Sequence, residues 1–143
     1  MSIILSMKLV REQGPDYGID RIRTSTDAYQ LVRQQLEDSD REVFLLVMLD
    51  TKNHIIGINT VSIGSLNASI VHPREVFKAA LLANACALVF AHNHPSGDST
   101  PSREDLEITR RLKEAGDLLG IRVLDHVIVG FGNYYSMADK GDM

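Results

Sequence analysis

The order of apolar segments along the chain predicts an α/β domain with a mixed β-sheet flanked by helices. Three observations carry that prediction. Helically spaced apolar patterns alternate with short, continuous apolar runs. Two of those runs are joined by a four-residue polar turn, as in an antiparallel hairpin. No internal repeat or low-complexity segment interrupts the order. The chain has 143 residues, 44% hydrophobic and 24% charged. That is expected to form a single domain over 1–143, with its core roughly over 26–137, and it excludes a wholly disordered or fibrous protein.

Each element has its own signal. Residues 2–11 read as a first strand, followed by a loop over 12–20 that holds Gly14, Pro15 and Gly18. Residues 26–36 read as a helix: Ser25, Thr26 and Asp27 offer N-caps, and Ala28, Leu31, Val32 and Leu36 share one face. EVFLLVML, at 42–49, is too short and too continuously apolar for a surface helix and reads as a buried strand. The turn Asp50-Thr51-Lys52-Asn53 leads to a second strand at 55–63. His72-Pro73 opens a helix to about Asn84, with Val76, Phe77, Ala80 and Leu81 helically spaced. A strand at 87–91, a loop, a helix at 103–119, a strand at 122–129 and a short strand near 134–137 complete the order.

Composition excludes several function classes. The longest apolar runs, 43–49 and 85–91, fall far short of the ~20 residues a membrane span needs, so no membrane partner is expected. The N-terminus has too short an apolar stretch, and no small-residue cleavage site, for a signal peptide. The lone cysteine, Cys86, allows no internal disulfide and suits a reducing compartment, so the expected location is cytoplasmic. A net charge of −4 does not support nucleic acid as a partner. Arg103, Arg110, Arg111 and Lys113 are interleaved with Glu104, Asp105 and Glu107, the pattern of a solvated helix face.

The segment richest in chemistry is AHNHPSGDSTPSRED, directly after the apolar run ALVFA. Residues two apart on a strand share a face, so His92 and His94 can present both imidazoles to one point. Pro95 would end the ladder. A helix starting near Ser102 and folded back on the sheet brings Asp105 toward the pair. Two histidines and a carboxylate are a zinc set with an open fourth position. Ser102-x-x-Asp105 also fits a helix capping box in which Asp105 binds nothing, although Pro101 would instead favour Thr100 as the cap. Spacing leaves both accounts of Asp105 open. A hydrolytic site further needs a base. Glu42, a carboxylate at the head of a buried strand, is the first candidate. Glu75, in the first turn of the HPRE helix, is its rival and is better explained by the helix dipole.

His92-x-His94-Pro95, six residues, then Ser102-x-x-Asp105, resembles the JAMM motif of the JAB/MPN metalloprotease domains. The fuller text HNHPSGDSTPSREDLEIT, with HPREVFKAALLANA before it and LDHVIVG after it, resembles the bacterial RadC family within that group. The likeness extends over most of 26–137. It implies a cytidine-deaminase-like JAB/MPN fold, with Zn2+ held by His92, His94 and Asp105. It implies that Glu42 is the general acid/base and that Ser102 hydrogen-bonds the developing oxyanion while zinc polarises the same carbonyl. The implied reaction is hydrolysis of a peptide or isopeptide bond in a peptide or protein substrate. A homodimer is compatible with these expectations.

The same likeness carries an alternative, an accessory or binding module associated with DNA repair whose zinc site is not hydrolytic. RadC-type chains often carry an N-terminal helix-hairpin-helix region. About 25 residues precede the resembling segment here, too few for a further domain, and they hold no Gly-rich hairpin, so no such domain is expected in this chain. A zinc nucleobase deaminase would need H-x-E…P-C-x-x-C, which a chain with one cysteine and Asn93-His94 lacks.

Other residues invite blander accounts. His72 reads as a helix cap or surface residue, His54 as an exposed turn residue, Asp98 as a turn former and Cys86 as a small core residue. Gly64 permits either close approach of an extended substrate or a bulge. Asp125 and His126 are neighbours on one strand and face opposite sides of the sheet. One of them could orient a metal ligand, although the ordinary role for each is a hydrogen-bonded core or edge residue.

Overall fold

A computed structural model of the chain describes residues 1–66 and 71–143. Its elements follow in the order α1 (Ser25–Leu36), β1 (Val43–Leu49), β2 (Ile55–Ile63), α2 (Pro73–Leu82), β3 (Ala87–Asn93), α3 (Arg103–Leu119), β4 (Arg122–Val129) and β5 (Tyr134–Ser136). The strands form one five-stranded mixed sheet in the order β2-β1-β3-β4-β5. β1 runs antiparallel to both β2 and β3, β3 and β4 are parallel, and β5 returns antiparallel to β4. Consistent with a JAB/MPN fold, α3 makes the crossover between the parallel pair β3 and β4.

Two cores flank the sheet. On one face α1 sets Ala28, Leu31, Val32 and Leu36 against Leu45, Val47, Val89 and Val127. On the other, α2 and α3 set Val76, Phe77, Ile108 and Leu112 against Phe44, Leu46, Leu88 and Phe90. β1 and β3 are thus covered on both faces, which explains their continuous apolar text. β2, at the sheet edge, is only half-buried. No helix among the described residues is long and apolar enough to cross a membrane.

Most boundaries agree with the sequence pattern, and the departures have causes. Residues 2–11 form no strand and are exposed; no ladder pairs their backbone, and an apolar segment without a ladder gains nothing over solvated chain. The cap of α1 is Thr24 rather than Ser25, Thr26 or Asp27. Asp27 instead reaches back as the third helical residue of a capping box, accepting from the Thr24 amide at 3.1 Å. α2 stops at Leu82, where Asn84 turns into the left-handed region with φ 54°. β3 runs on through His92 and Asn93, and the His94 amide still donates to the Val129 carbonyl at 2.9 Å before Pro95.

One irregularity positions the site. Between β3 and β4 the register shifts: Leu88 pairs Val123, but Val89 pairs Asp125, so Leu124 is an extra residue on β4. An inserted residue reverses the alternation of every side chain after it. Val123 lies on the α3 face. Without the bulge Asp125 would follow it there; with the bulge His126 does, edge-on to Phe44 and Phe90 of that face.

Candidate metal centre

β3 carries His92 to the C-terminal end of the sheet, on the face covered by α3. His94 follows just past the strand. α3 begins at this same end because Ser102 caps it: the Ser102 hydroxyl accepts from the Asp105 amide at 3.0 Å, and Asp105 Oδ2 accepts from the Ser102 amide at 2.9 Å. The capping box therefore exists, with Ser102 rather than Thr100 as the cap. It does not compete with a second role for Asp105. The same carboxylate lies 3.0 Å from His94 Nε2 through Oδ2 and 3.4 Å from His92 Nε2 through Oδ1. The two imidazole Nε2 atoms are 3.1 Å apart. Capping is what aims the carboxylate at the histidines.

The donor set fits a metal ion. His94 Nδ1 lies 2.7 Å from the Asp98 carbonyl, which can only accept, so Nδ1 carries the proton and a neutral His94 turns its Nε2 lone pair inward. Two ring nitrogens and a carboxylate then converge on one point, a set that could hold a metal ion. A tetrahedral ion with bonds of about 2.0 Å holds its ligands roughly 3.3 Å apart, in line with the spacings here. His92 is 1% exposed, whereas the His94 side chain is 15% exposed and leaves the centre open on one side.

Electrostatics point the same way. Burial pushes the Asp105 carboxyl up, but the two imidazoles beside it, with the Ser102 amide, outweigh burial and hold the acid well below the usual carboxylate range. His94 is held above its ordinary value, chiefly by its hydrogen bond to Asp105.

Glu42 lies one residue before β1, half-buried, and its Oε2 accepts from the Leu66 amide at 2.8 Å. Phe44 pairs His92 in the antiparallel register, and Glu42 and His94 each lie two residues beyond that pair, at the same end of the sheet. The carboxylate is close enough for its field to favour the His94 cation. Its segment is held by Asn93, whose side chain accepts from the Val43 amide at 2.7 Å and donates to the Arg41 carbonyl at 2.8 Å. Glu75 is exposed and paired with Lys78 at 2.9 Å, away from this constellation.

The other candidates separate cleanly. His72 caps α2, its Nδ1 accepting from the Arg74 amide at 3.0 Å. His54 is exposed beside Asp50 in the hairpin turn. Asp98 is a turn former whose carboxylate accepts from the Thr100 amide, and its carbonyl orients His94. Gly64 ends β2 at φ 111°, its amide donating to the Glu42 carbonyl. Cys86 is half-buried rather than a core residue, because it precedes the covered part of β3. Asp125 is structural, accepting from Ser136 Oγ and the Ala138 amide to hold the end of β5. Of the two neighbours, His126 is the one that meets a candidate ligand: its Nε2 lies 2.7 Å from His92 Nδ1, and its Nδ1 meets the Thr109 hydroxyl, which donates to the Asp105 carbonyl at 2.8 Å. Burial pushes the His126 imidazole well below its ordinary pKa, so it is neutral. Nothing in the sequence pattern singled out Thr109 or Asn93. The only available signal was position: Thr109 lies one helical turn after Asp105, and Asn93 sits between the two histidines.

Fold and site together define a mixed α/β domain that gathers two imidazoles and a carboxylate at a strand end, a candidate metal centre. The sequence model of the RadC-like JAB domain matches residues 22–142, and the chain belongs to that family. It is 51% identical over 133 residues to a UPF0758 protein of Caldanaerobacter subterraneus subsp. tengcongensis, covering 93% of this chain and 56% of that one. A UPF0758 protein of Geotalea uraniireducens is 50% identical over 126 residues, with 88% and 55% covered. One of Methanosarcina mazei is 51% identical over 121 residues, with 85% and 53% covered. The chain thus spans about half the length of these relatives.

Proposed function

We propose that this domain is a zinc-dependent hydrolase of the JAMM type that cleaves a peptide or isopeptide bond in a peptide or protein substrate. The observation that carries the proposal is the convergence of His92 Nε2, His94 Nε2 and the Asp105 carboxylate within 4.8 Å of one another, open on the His94 side. All three are ligands that zinc accepts, and three protein ligands are the count of a catalytic rather than a structural zinc site. When bound there, zinc would supply an acidified water and an electrophile for the scissile carbonyl.

The chain's own groups support the remaining steps. Glu42, at the same end of the sheet as His94, is suited to take a proton from the attacking water and return it to the leaving amine. The Leu66 amide holds one of its oxygens, Oε2, and among the described residues no hydrogen bond engages Oε1, the oxygen suited to that exchange. Ser102 Oγ already accepts from the Asp105 amide, and its O–H proton has no acceptor among the described residues. That proton is therefore available to the oxyanion formed as water adds to the carbonyl. The acidic balance of the chain speaks for a protein substrate over nucleic acid.

The test is elemental analysis of tightly bound metal on the protein and on His92→Ala and Asp105→Ala, followed by a screen of peptide and isopeptide substrates with Glu42→Gln as control. About one zinc per chain, lost in both variants, with hydrolysis abolished in Glu42→Gln at full zinc content, is the expected result. Failure of the wild-type protein to take up metal from excess zinc overturns the proposal. Full zinc with no hydrolysis of any substrate class leaves a metal-binding module instead.

A further inference from the structure

The buried pair Thr109–His126 is not used by the chemistry above, yet it joins two of the three candidate ligands. The Thr109 hydroxyl donates to the Asp105 backbone carbonyl one turn earlier on α3, at 2.8 Å. Its single proton is thereby committed, so toward His126 Nδ1 the oxygen can only accept. His126 must then carry its proton on Nδ1. Its Nε2 is left as a lone pair, 2.7 Å from His92 Nδ1. That contact requires one proton; the His126 ring meets no carboxylate among the described residues and is walled by Phe44 and Phe90, so nothing there would pair a second proton on it, and the shared proton is that of His92. The remaining nitrogen of His92, Nε2, is bare and faces His94 and Asp105.

Among the described residues no other group hydrogen-bonds Thr109 Oγ, His92 Nδ1 or the two ring nitrogens of His126. His92 and His126 are each 1% exposed and Thr109 is 3% exposed. The Phe44 and Phe90 rings stand edge-on to His126 with centroids 5.5 and 5.9 Å away, walling the contact from solvent. An unsatisfied polar atom in such surroundings is costly, so the hydrogen-bond directions are imposed by the fold.

From this geometry we infer that Thr109 and His126 are positioning residues: they fix His92 as its Nδ1–H tautomer and so dedicate its Nε2 lone pair to the metal centre before any ion arrives. The pair also ties β3, which carries His92, through β4 to α3, which carries Asp105. The ligands are then held in register by a buried polar bridge as well as by packing. The consequence for metal binding rests on the zinc proposal above; the tautomer itself does not.

Two experiments decide it. The first is a long-range proton–nitrogen NMR spectrum of 15N-histidine-labelled, zinc-free wild-type protein above neutral pH. The expected result is that His92 and His126 are both protonated on Nδ1 and bare on Nε2. A His92 protonated on Nε2 overturns the inference, whether or not the protein proves to bind zinc. The second is zinc affinity by chelator competition for His126→Phe, His126→Gln and Thr109→Val, each with a cooperative unfolding curve as a fold control. His126→Phe keeps shape but offers no acceptor and is expected to weaken zinc binding about 10- to 100-fold. His126→Gln, whose carbonyl can accept from His92 Nδ1–H, is expected to recover much of that loss, and Thr109→Val to weaken binding in the same direction. Wild-type affinity in a folded His126→Phe overturns the inference. Should that variant not fold, the wild-type spectrum decides alone. Absence of zinc binding by the wild type removes the proposed function but leaves the tautomer result standing.

Discussion

Asn93 Oδ1 accepts the Val43 amide at 2.7 Å, tying the strand between the two histidines to the residue that follows Glu42. The same side chain donates to the Arg41 carbonyl, so one buried amide grips the backbone on both sides of the proposed general base. Asn93→Ala leaves a donor and an acceptor without their partner, a loss of about 1–3 kcal/mol. The expected outcome is a lower denaturation midpoint and strongly reduced hydrolysis with zinc content near that of the wild type. Parallel loss of zinc would place the defect in the ligands rather than in Glu42.

Ser102 has two separable duties. Ser102→Ala removes the cap on the Asp105 amide, costing about 1 kcal/mol of stability. The Asp105 carboxylate still accepts from the backbone amide at position 102. Zinc should therefore be retained while hydrolysis falls. Urea unfolding, metal analysis and turnover on the same preparation separate the effects, and Ser102→Thr should keep the cap.

Gly97 adopts φ +89°, and a Cβ there would strike the Phe131 ring. Its carbonyl accepts from the Phe131 amide at 3.0 Å, so the loop that orients His94 is pressed against the β4–β5 turn. Gly97→Ala should lose about 1–3 kcal/mol from backbone strain alone and weaken zinc binding by shifting the Asp98 carbonyl. Adding Phe131→Ala should relieve the collision but not the strain, giving partial recovery in thermal unfolding.

Acidity should affect the metal-free and metal-loaded protein in opposite directions. His94 is raised above its ordinary value by Asp105. In the metal-free chain that pairing stabilises fully below the unfolded histidine pKa of about 6.5 and is lost as pH rises through the raised folded value. Asp105, held below the usual range by His92 and His94, contributes above about pH 4 and loses that contribution as pH falls toward its depressed folded value. Metal-free stability is therefore expected to peak between these limits and to decline above neutrality. Zinc must displace the His94 proton, so affinity should drop about tenfold per pH unit below the raised His94 pKa. Calorimetric unfolding with and without zinc across pH checks both signs.

Much of the fold was legible because each element carries a local signature. The apolar runs became the two-sided strands β1 and β3, the Asp50–Asn53 turn made its hairpin, and the bounds of β2, α3 and β4 agree with the sequence pattern. The failures were those where local text lacks a partner. Residues 2–11 look like a strand but join no ladder. Thr24 rather than its neighbours caps α1, because the decision lies in which side chain meets which amide.

At the site, the chain alone determined the candidate ligand types and their spacing: His92, His94 and Asp105 are set by a strand end, a short loop and a helix start, all local. The tertiary structure decided what no local pattern contains. Capping and ligation by Asp105 looked like alternatives and are compatible, because a carboxylate has two oxygens and several lone pairs to share. Asp125 and His126 were equivalent on paper. The single extra residue at Leu124 sent one to close the end of β5 and the other to His92. A bulge of one residue reverses an entire face, and its cost and placement depend on pairing with a strand distant in sequence. That choice is made only when the sheet assembles.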